Sequence, residues 1–307
     1  MVDQNNIGEA CLHSIKALLA AAALSASVLP VQARTVLFLG SSFTYGAHSA
    51  AQHYHPELVK DLNGPDRFGE TYAGVPAIFK QFTLEAGLTD YEVSSQLVGG
   101  KGLEYWFTVP DTLARINKPW DVVVMHGFST LDQAKPGDRT LLLSSSKRIA
   151  QMFLSANPAA KLYLFATWSR ADQVYPDKAS PVWKGKPVQQ MGKDVEAAYE
   201  QAVKEEPRYA GIVPVGLAWN RAIDTGMADA NPYDGLDANK VDLWAYDHYH
   251  ASSYGYYLEA LMDFGRITGH DPLELKGKDR VAEALGISPA QSTALMRVAH
   301  DTLAATK

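Results

Sequence analysis

The sequence predicts an α/β chain, a three-layer α/β/α sandwich around a central parallel sheet of about five strands. Three observations predict it. Short, almost continuously apolar runs alternate with stretches of helical periodicity, the runs end in Gly, Ser or Thr, and no linker or internal repeat divides the chain. The first run, "VLFLG" from Val36, breaks into "SSFTYG"; "GVPAIFKQFTLEAG" then has helical spacing and stops at Gly87. "YEVSSQLV" reads as the second strand, "GLEYWFTVPDTLARI" as helical around Pro110, and "DVVVMHG" as the third strand. "RTLLLSSSKRIAQMFLSA" is a helix, "KLYLFATW" a strand, "VQQMGKDVEAAYEQAVKEE" a helix and "AGIVPVG" the fifth strand. A further helix is expected over "YGYYLEALMDFGRITG", and one or two amphipathic helices over residues 278–305, with an N-terminus at Ser288-Pro289.

The segment before the first strand speaks to compartment. Lys16 precedes the apolar run "ALLAAAALSASVL", followed by Pro30 and "VQA", the pattern of a secretory signal peptide cut after Ala33. The run is shorter than the ~18–20 apolar residues that span a bilayer. Residues 1–33 are therefore expected to be a signal peptide, residues 34–307 a single domain, and the location secreted or periplasmic. Cys11, the chain's one cysteine, would leave with the signal, so thiol catalysis, zinc-cysteine sites and disulfides are excluded from the mature chain. The net charge of −6 becomes about −5 once Lys16, Asp3 and Glu9 are removed. That balance argues against nucleic acid or an anionic membrane as a partner.

In parallel α/β sheets, ligands sit at the carboxyl ends of the strands. The Ser41-Ser42 pair, "VGG" after the second strand, "HGFST" after the third and "TWSR" after the fourth all fall there. Residues 171–190, rich in Pro and Lys and without periodicity, read as a long loop over that edge, a lid or a plain insertion. Near the C-terminus, "DHYH" places Asp247 three residues before His250. On a loop, this spacing lets a carboxylate meet Nδ1 of the imidazole and leaves Nε2 free to take a serine proton.

Taken in order, "FLGSSFTYG", the glycine pair, "DVVVMHGFS" and "DHYHASSYGYYL" resemble the spaced blocks of the SGNH (GDSL-like) hydrolases, in particular a branch resembling sialate O-acetylesterases. The resemblance runs over residues 35–270, and its first and last blocks are the specific ones. It implies an SGNH/flavodoxin-like fold, a serine esterase activity through an acyl-enzyme, and no cofactor. Position by position, the nucleophile falls on Ser42, with Ser41 at the family's acidic position, and the other triad members on Asp247 and His250. The pattern G-x-S-x-T departs from the G-x-S-x-G elbow of α/β-hydrolases. The implied oxyanion hole consists of the Ser42 amide, the Gly100 amide (with Gly99 its neighbour) and an Asn side chain. No Asn stands in the third block, which leaves His126 or Ser129 to replace it.

Tyr45, Trp106 and Trp168 are candidate substrate-binding aromatics, and Trp183 a fourth near the same edge. A metal centre is the rival chemistry: His48, His53 and His55 lie just past Ser42 and His248 and His250 beside Asp247, so four or five imidazoles could meet Asp247 at one edge, although no zinc signature such as H-E-x-x-H is present. His53 and His55 are expected to pack the loop or line the substrate entrance. The expected substrate is a short acyl, acetyl above all, ester of a small molecule or glycan. A lipase or aryl esterase, or a non-catalytic carbohydrate-binding protein of the same fold, are the alternatives.

Overall fold

The computed structural model describes residues 33–306. The proposed signal peptide lies outside the described residues. Six strands form one parallel sheet: β1 (Arg34–Gly40), β2 (Lys60–Asp61), β3 (Tyr91–Leu97), β4 (Val122–Met125), β5 (Lys161–Phe165) and β6 (Gly211–Val213), in the order β2-β3-β1-β4-β5-β6. Five are those expected. The additional one, β2, is a two-residue edge strand with no apolar run of its own; it exists only through its pairing with Ser94 and Ser95 of β3.

The helices are α1 (Ser42–Tyr45), α2 (Gly74–Glu85), α3 (Pro110–Ile116), α4 (Thr140–Ala156), α5 (Gln189–Glu205), α6 (Val215–Asp224), α7 (Ser253–Thr268), α8 (Arg280–Ala284) and α9 (Pro289–Ala305). The stretch "GLEYWFTVPDTLARI" divides at Pro110, with a 3₁₀ turn over Leu103–Thr108 before α3. Pro fixes its own φ and starts α3 at no hydrogen-bond cost. Helix α9 begins as expected at Ser288-Pro289, where Ser288 and Gln291 form a capping box. Helices α2 and α7 pack on one face of the sheet, joined by edge contacts of Phe82 with Tyr257 and Phe264. Helices α4 and α5 pair with each other, giving the third layer. Among the described residues, no helix is long and apolar enough to cross a membrane.

The chain leaves β1 toward β2 and β3 on one side and returns to β4 on the other, so β1 is the topological switch point. Its register places Gly40 beside Leu97 and Leu39 beside Met125. The first residues past these strand ends therefore meet: Val98 donates its N–H to Gly40 C=O at 2.9 Å. A crevice opens where loops diverge from such a point.

Candidate active site

Ser42 sits two residues beyond β1, at the start of the single-turn helix α1. Ser41 is its N-cap, and Gly46, in the left-handed region at φ 83°, closes the turn by donating to Ser42 C=O. Phe43 anchors this turn from below. It stacks on Trp168 at 4.1 Å, and Trp168 stacks on Trp219 at 4.8 Å and 5°. Such pairs add roughly 0.5–1.5 kcal/mol each beyond simple burial. From α7, the Tyr256 hydroxyl donates to Ser42 C=O at 3.0 Å, tying the serine turn to the helix that follows the histidine loop.

That loop is folded by its own aspartate. Asp247 Oδ1 accepts the backbone N–H groups of Tyr249 and His250, an Asx turn, which leaves Oδ2 to receive His250 Nδ1 at 2.6 Å. On the far side of the ring, His250 Nε2 lies 2.9 Å from Ser42 Oγ. The structure thus brings Ser42, His250 and Asp247 into one hydrogen-bonded line across residues far apart in sequence. Ser42 and His250 are nearly buried, at 5% and 7% exposure. Burial, the largest influence, pushes the His250 imidazole below its ordinary pKa; Asp247 pulls it back, and the neighbouring His48 and Arg170 push it down again. For Asp247, burial raises the carboxyl, but the hydrogen bonds from His250 and the loop N–H groups outweigh it and hold the group below its ordinary value.

Arg170, Asp172 and Trp168 brace the histidine loop. The Arg170 guanidinium lies 3.6 Å above the Tyr249 ring, which also lies against the His250 ring at 4.0 Å and the Phe43 ring at 5.4 Å. Arg170 is itself held by a two-pronged pair with Asp172, at 3.0 and 2.7 Å. Asp172 N–H donates to His248 C=O, and Trp168 Nε1 donates to Tyr249 C=O.

The cleft above the serine, about 330 Å³, is lined by Ser42, Tyr45, His48, Tyr72, Gly100 and His250 among others. Gly100 adopts φ 68°, a backbone shape that favours glycine. The N–H groups of Ser42 and Gly100 donate to no backbone carbonyl. Tyr45 stacks on Tyr72 at 4.8 Å and lines the cleft beside Ser42; burial first, then Tyr72 and Tyr249, raise its pKa, so the phenol keeps its proton.

Several expected site residues are placed elsewhere. Trp168 and Trp106 are 0% and 1% exposed, so neither can touch a substrate; both are core, as is Trp183. His126 is not an oxyanion donor. Its Nε2 accepts the Ser41 N–H at 3.1 Å, which puts the ring proton on Nδ1, and Nδ1 faces Gly127 C=O at 2.8 Å. Burial pushes its pKa down to about 4, so the ring is neutral at ordinary pH. Ser129 is buried beneath the site and accepts from Arg170 at 3.2 Å. His53 and His55 line a separate depression with Ala284 and Leu285. Residues 171–190 contribute nothing to the lining of the cleft and are pinned by Trp183, which donates to Asp194. Among the described residues, one group of three metal-competent side chains occurs: His48, Asp247 and His250, with ligand atoms within 4.8 Å of one another. Tyr72 and Arg170 escape the sequence reading as site residues, since only the folded chain brings them to the serine; His48 enters it only as a candidate metal ligand.

No family model matches the chain, and no curated protein matches it in sequence. Solved structures do. A DUF4886 family protein from Bacteroides uniformis superposes with a TM-score of 0.55 at 15% identity, covering 89% of this chain and 95% of that one. LAE5, an alpha/beta hydrolase enzyme from the Lake Arreo metagenome, gives 0.51 at 10% identity, covering 77% and 96%. A variant acetyl-xylooligosaccharide esterase from Geobacillus stearothermophilus gives 0.50 at 14%, covering 79% and 97%. These likenesses concern architecture, and with the ordered sequence blocks they identify it: the chain has the fold of the SGNH (GDSL-like) hydrolases.

Proposed function

We propose that the protein is an exported serine esterase that removes short acyl groups, acetyl foremost, from a carbohydrate or small-molecule ester. The observation that carries this reading is the line Ser42 Oγ, His250 Nε2, His250 Nδ1, Asp247 Oδ2, with hydrogen-bond spacings of 2.9 and 2.6 Å. In this mechanism Ser42 attacks the ester carbonyl while His250, neutral because burial disfavours its charged form, accepts the proton. Asp247 orients the ring and stabilises the imidazolium. The same imidazolium then protonates the leaving alcohol, and water, activated by His250 in turn, releases the acyl group from Ser42. The chemistry requires no cofactor.

The developing oxyanion needs donors already in place. The Ser42 and Gly100 amides supply two. For the third, where the family resemblance implies Asn, we assign the Tyr45 hydroxyl, which stays protonated, borders the cleft and sits beside Ser42.

The stacked faces of Tyr45 and Tyr72 suit a sugar ring, and a structural neighbour is an acetyl-xylooligosaccharide esterase. The cleft is shallow and small, in keeping with a short acyl group. The apolar run ahead of Ala33 supports export.

The test is labelling by a fluorophosphonate together with hydrolysis of p-nitrophenyl acetate, for wild type, Ser42→Ala and His250→Ala. Labelling and turnover lost in both folded variants support the triad. Equal background rates in all three would reject it.

A further inference from the structure

We propose that the cleft carries an inhibitory site for a borderline-soft divalent cation such as Zn²⁺, built from His48, Asp247 and His250. The proposal rests on the spacing, chemistry, orientation and accessibility of these residues. Their ligand atoms lie within 4.8 Å of one another, and two imidazoles with a carboxylate are a donor set that zinc takes readily. His48 Nε2 stands 3.7 Å from Asp247 Oδ2. Two ligands on a tetrahedral zinc, with bonds of about 2.0–2.2 Å, are about 3.3–3.5 Å apart, so a small contraction suffices.

His48 is also held in the required orientation. Its Nδ1 pairs with the Tyr246 hydroxyl at 2.8 Å, and its ring meets the Tyr246 ring edge-on at 5.1 Å. A second partner on Nδ1 fixes which nitrogen is free to ligate, and metal-binding histidines are commonly tuned this way. The backbone places it: His48 has φ 64°, in the left-handed region that histidine enters more often than most side chains. An entry path exists, since the His48 side chain is 41% exposed at the mouth of the cleft.

Occupancy would stop the relay. If His250 ligates through Nδ1, the proton it shares with Asp247 is released to solvent and that contact is lost. If it ligates through Nε2, the Ser42 contact is lost instead. The inhibitory consequence rests on the Ser42–His250 relay, whereas binding of the cation does not.

Two arms separate these claims. Calorimetric titration of ZnCl₂ into the Ser42→Ala chain reads binding without turnover. One zinc per chain in the micromolar range is expected, weakened about a hundredfold by adding His48→Gln and about tenfold by adding Tyr246→Phe. Melting temperatures of the zinc-free variants confirm that each is folded. In the second arm, p-nitrophenyl acetate hydrolysis is followed against ZnCl₂ for wild type and His48→Gln, each normalised to its own zinc-free rate. Wild type should be inhibited in the range where zinc binds, His48→Gln only at far higher concentration, and chelator should restore the rate. Undiminished binding in the His48→Gln chain would place zinc elsewhere, for example at His55 and Glu57, and overturn the proposal. So would a chain that binds no zinc at millimolar concentration, or one that zinc accelerates. If wild type hydrolyses no ester, the calorimetric arm still decides the site.

Discussion

Gly40 and His126 meet where β1 ends: a Cβ added to Gly40 would collide with His126 Nε2, the atom that accepts the Ser41 N–H. The glycine before the serine pair thus makes room for the ring that holds the serine turn. Gly40→Ala is expected to push His126 off Ser41, cost about 1–3 kcal/mol by overpacking and slow fluorophosphonate labelling of Ser42 at least tenfold. His126→Ala should cost a similar ~1–3 kcal/mol by leaving the Ser41 N–H unpaired. Denaturant melts and labelling rates check both; unchanged labelling in Gly40→Ala would show that the turn does not depend on this contact.

Tyr45→Phe removes the third donor assigned to the oxyanion and keeps the stack on Tyr72. Losing one such donor typically lowers kcat by about 10²–10³, or roughly 2.7–4 kcal/mol, with KM little changed. Steady-state kinetics on p-nitrophenyl acetate measures the split. A rise in KM at constant kcat would mean that Tyr45 binds substrate and leaves the oxyanion to the backbone amides.

Asp247, His250 and Ser42 are legible in the sequence because each lies in a short polar segment directly after an apolar one, and chemistry of this kind needs particular side chains at particular spacings. Depth is not legible in the same way. Trp168 follows β5 just as Ser42 follows β1, yet Trp219 of α6 and Tyr256 of α7 close over it, and nothing local to Trp168 announces them. His126 shows the same limit: its residue type allows a donor to the oxyanion, and only the proximity of Ser41 N–H to Nε2 makes that nitrogen an acceptor. Strand β2 and helix α6 were missed because one is two residues long and the other follows β6 almost without a break.

Arg170 acts on the site through Tyr249, so its loss should appear in turnover more than in binding. Arg170→Ala leaves Asp172 without its two-pronged partner and removes the guanidinium from the Tyr249 ring, loosening the ring that lies against His250. A roughly tenfold fall in kcat with a small change in KM is expected. Arg170→Lys should restore little of it, because an ammonium offers neither the planar face nor the fork. Full activity in the lysine variant would show that charge alone matters.

Helix α7 also carries a liability of stability with a definite sign in pH. Glu259 and Asp263, one turn apart, are 0% and 1% exposed, and among the described residues none of their four carboxyl oxygens has a hydrogen-bond partner. Burial raises both pKa values well above the ordinary 4.5 and 3.8, and the Asp263 charge raises Glu259 further. Below about pH 3 both groups are protonated in the folded and the unfolded chain alike. As pH rises, the unfolded chain releases these protons while the folded chain keeps them, so stability falls by up to about 1.4 kcal/mol per pH unit for each group until the folded carboxyls themselves ionise. Glu259→Gln and Asp263→Asn cannot ionise and should melt close to wild type at pH 4 but clearly higher at pH 8. Glu259→Leu, which also removes an unpartnered polar group, should be the more stable chain at both. Melting curves across that range decide it: a wild-type advantage at pH 8 would mean that the pair is ionised and satisfied in the folded chain.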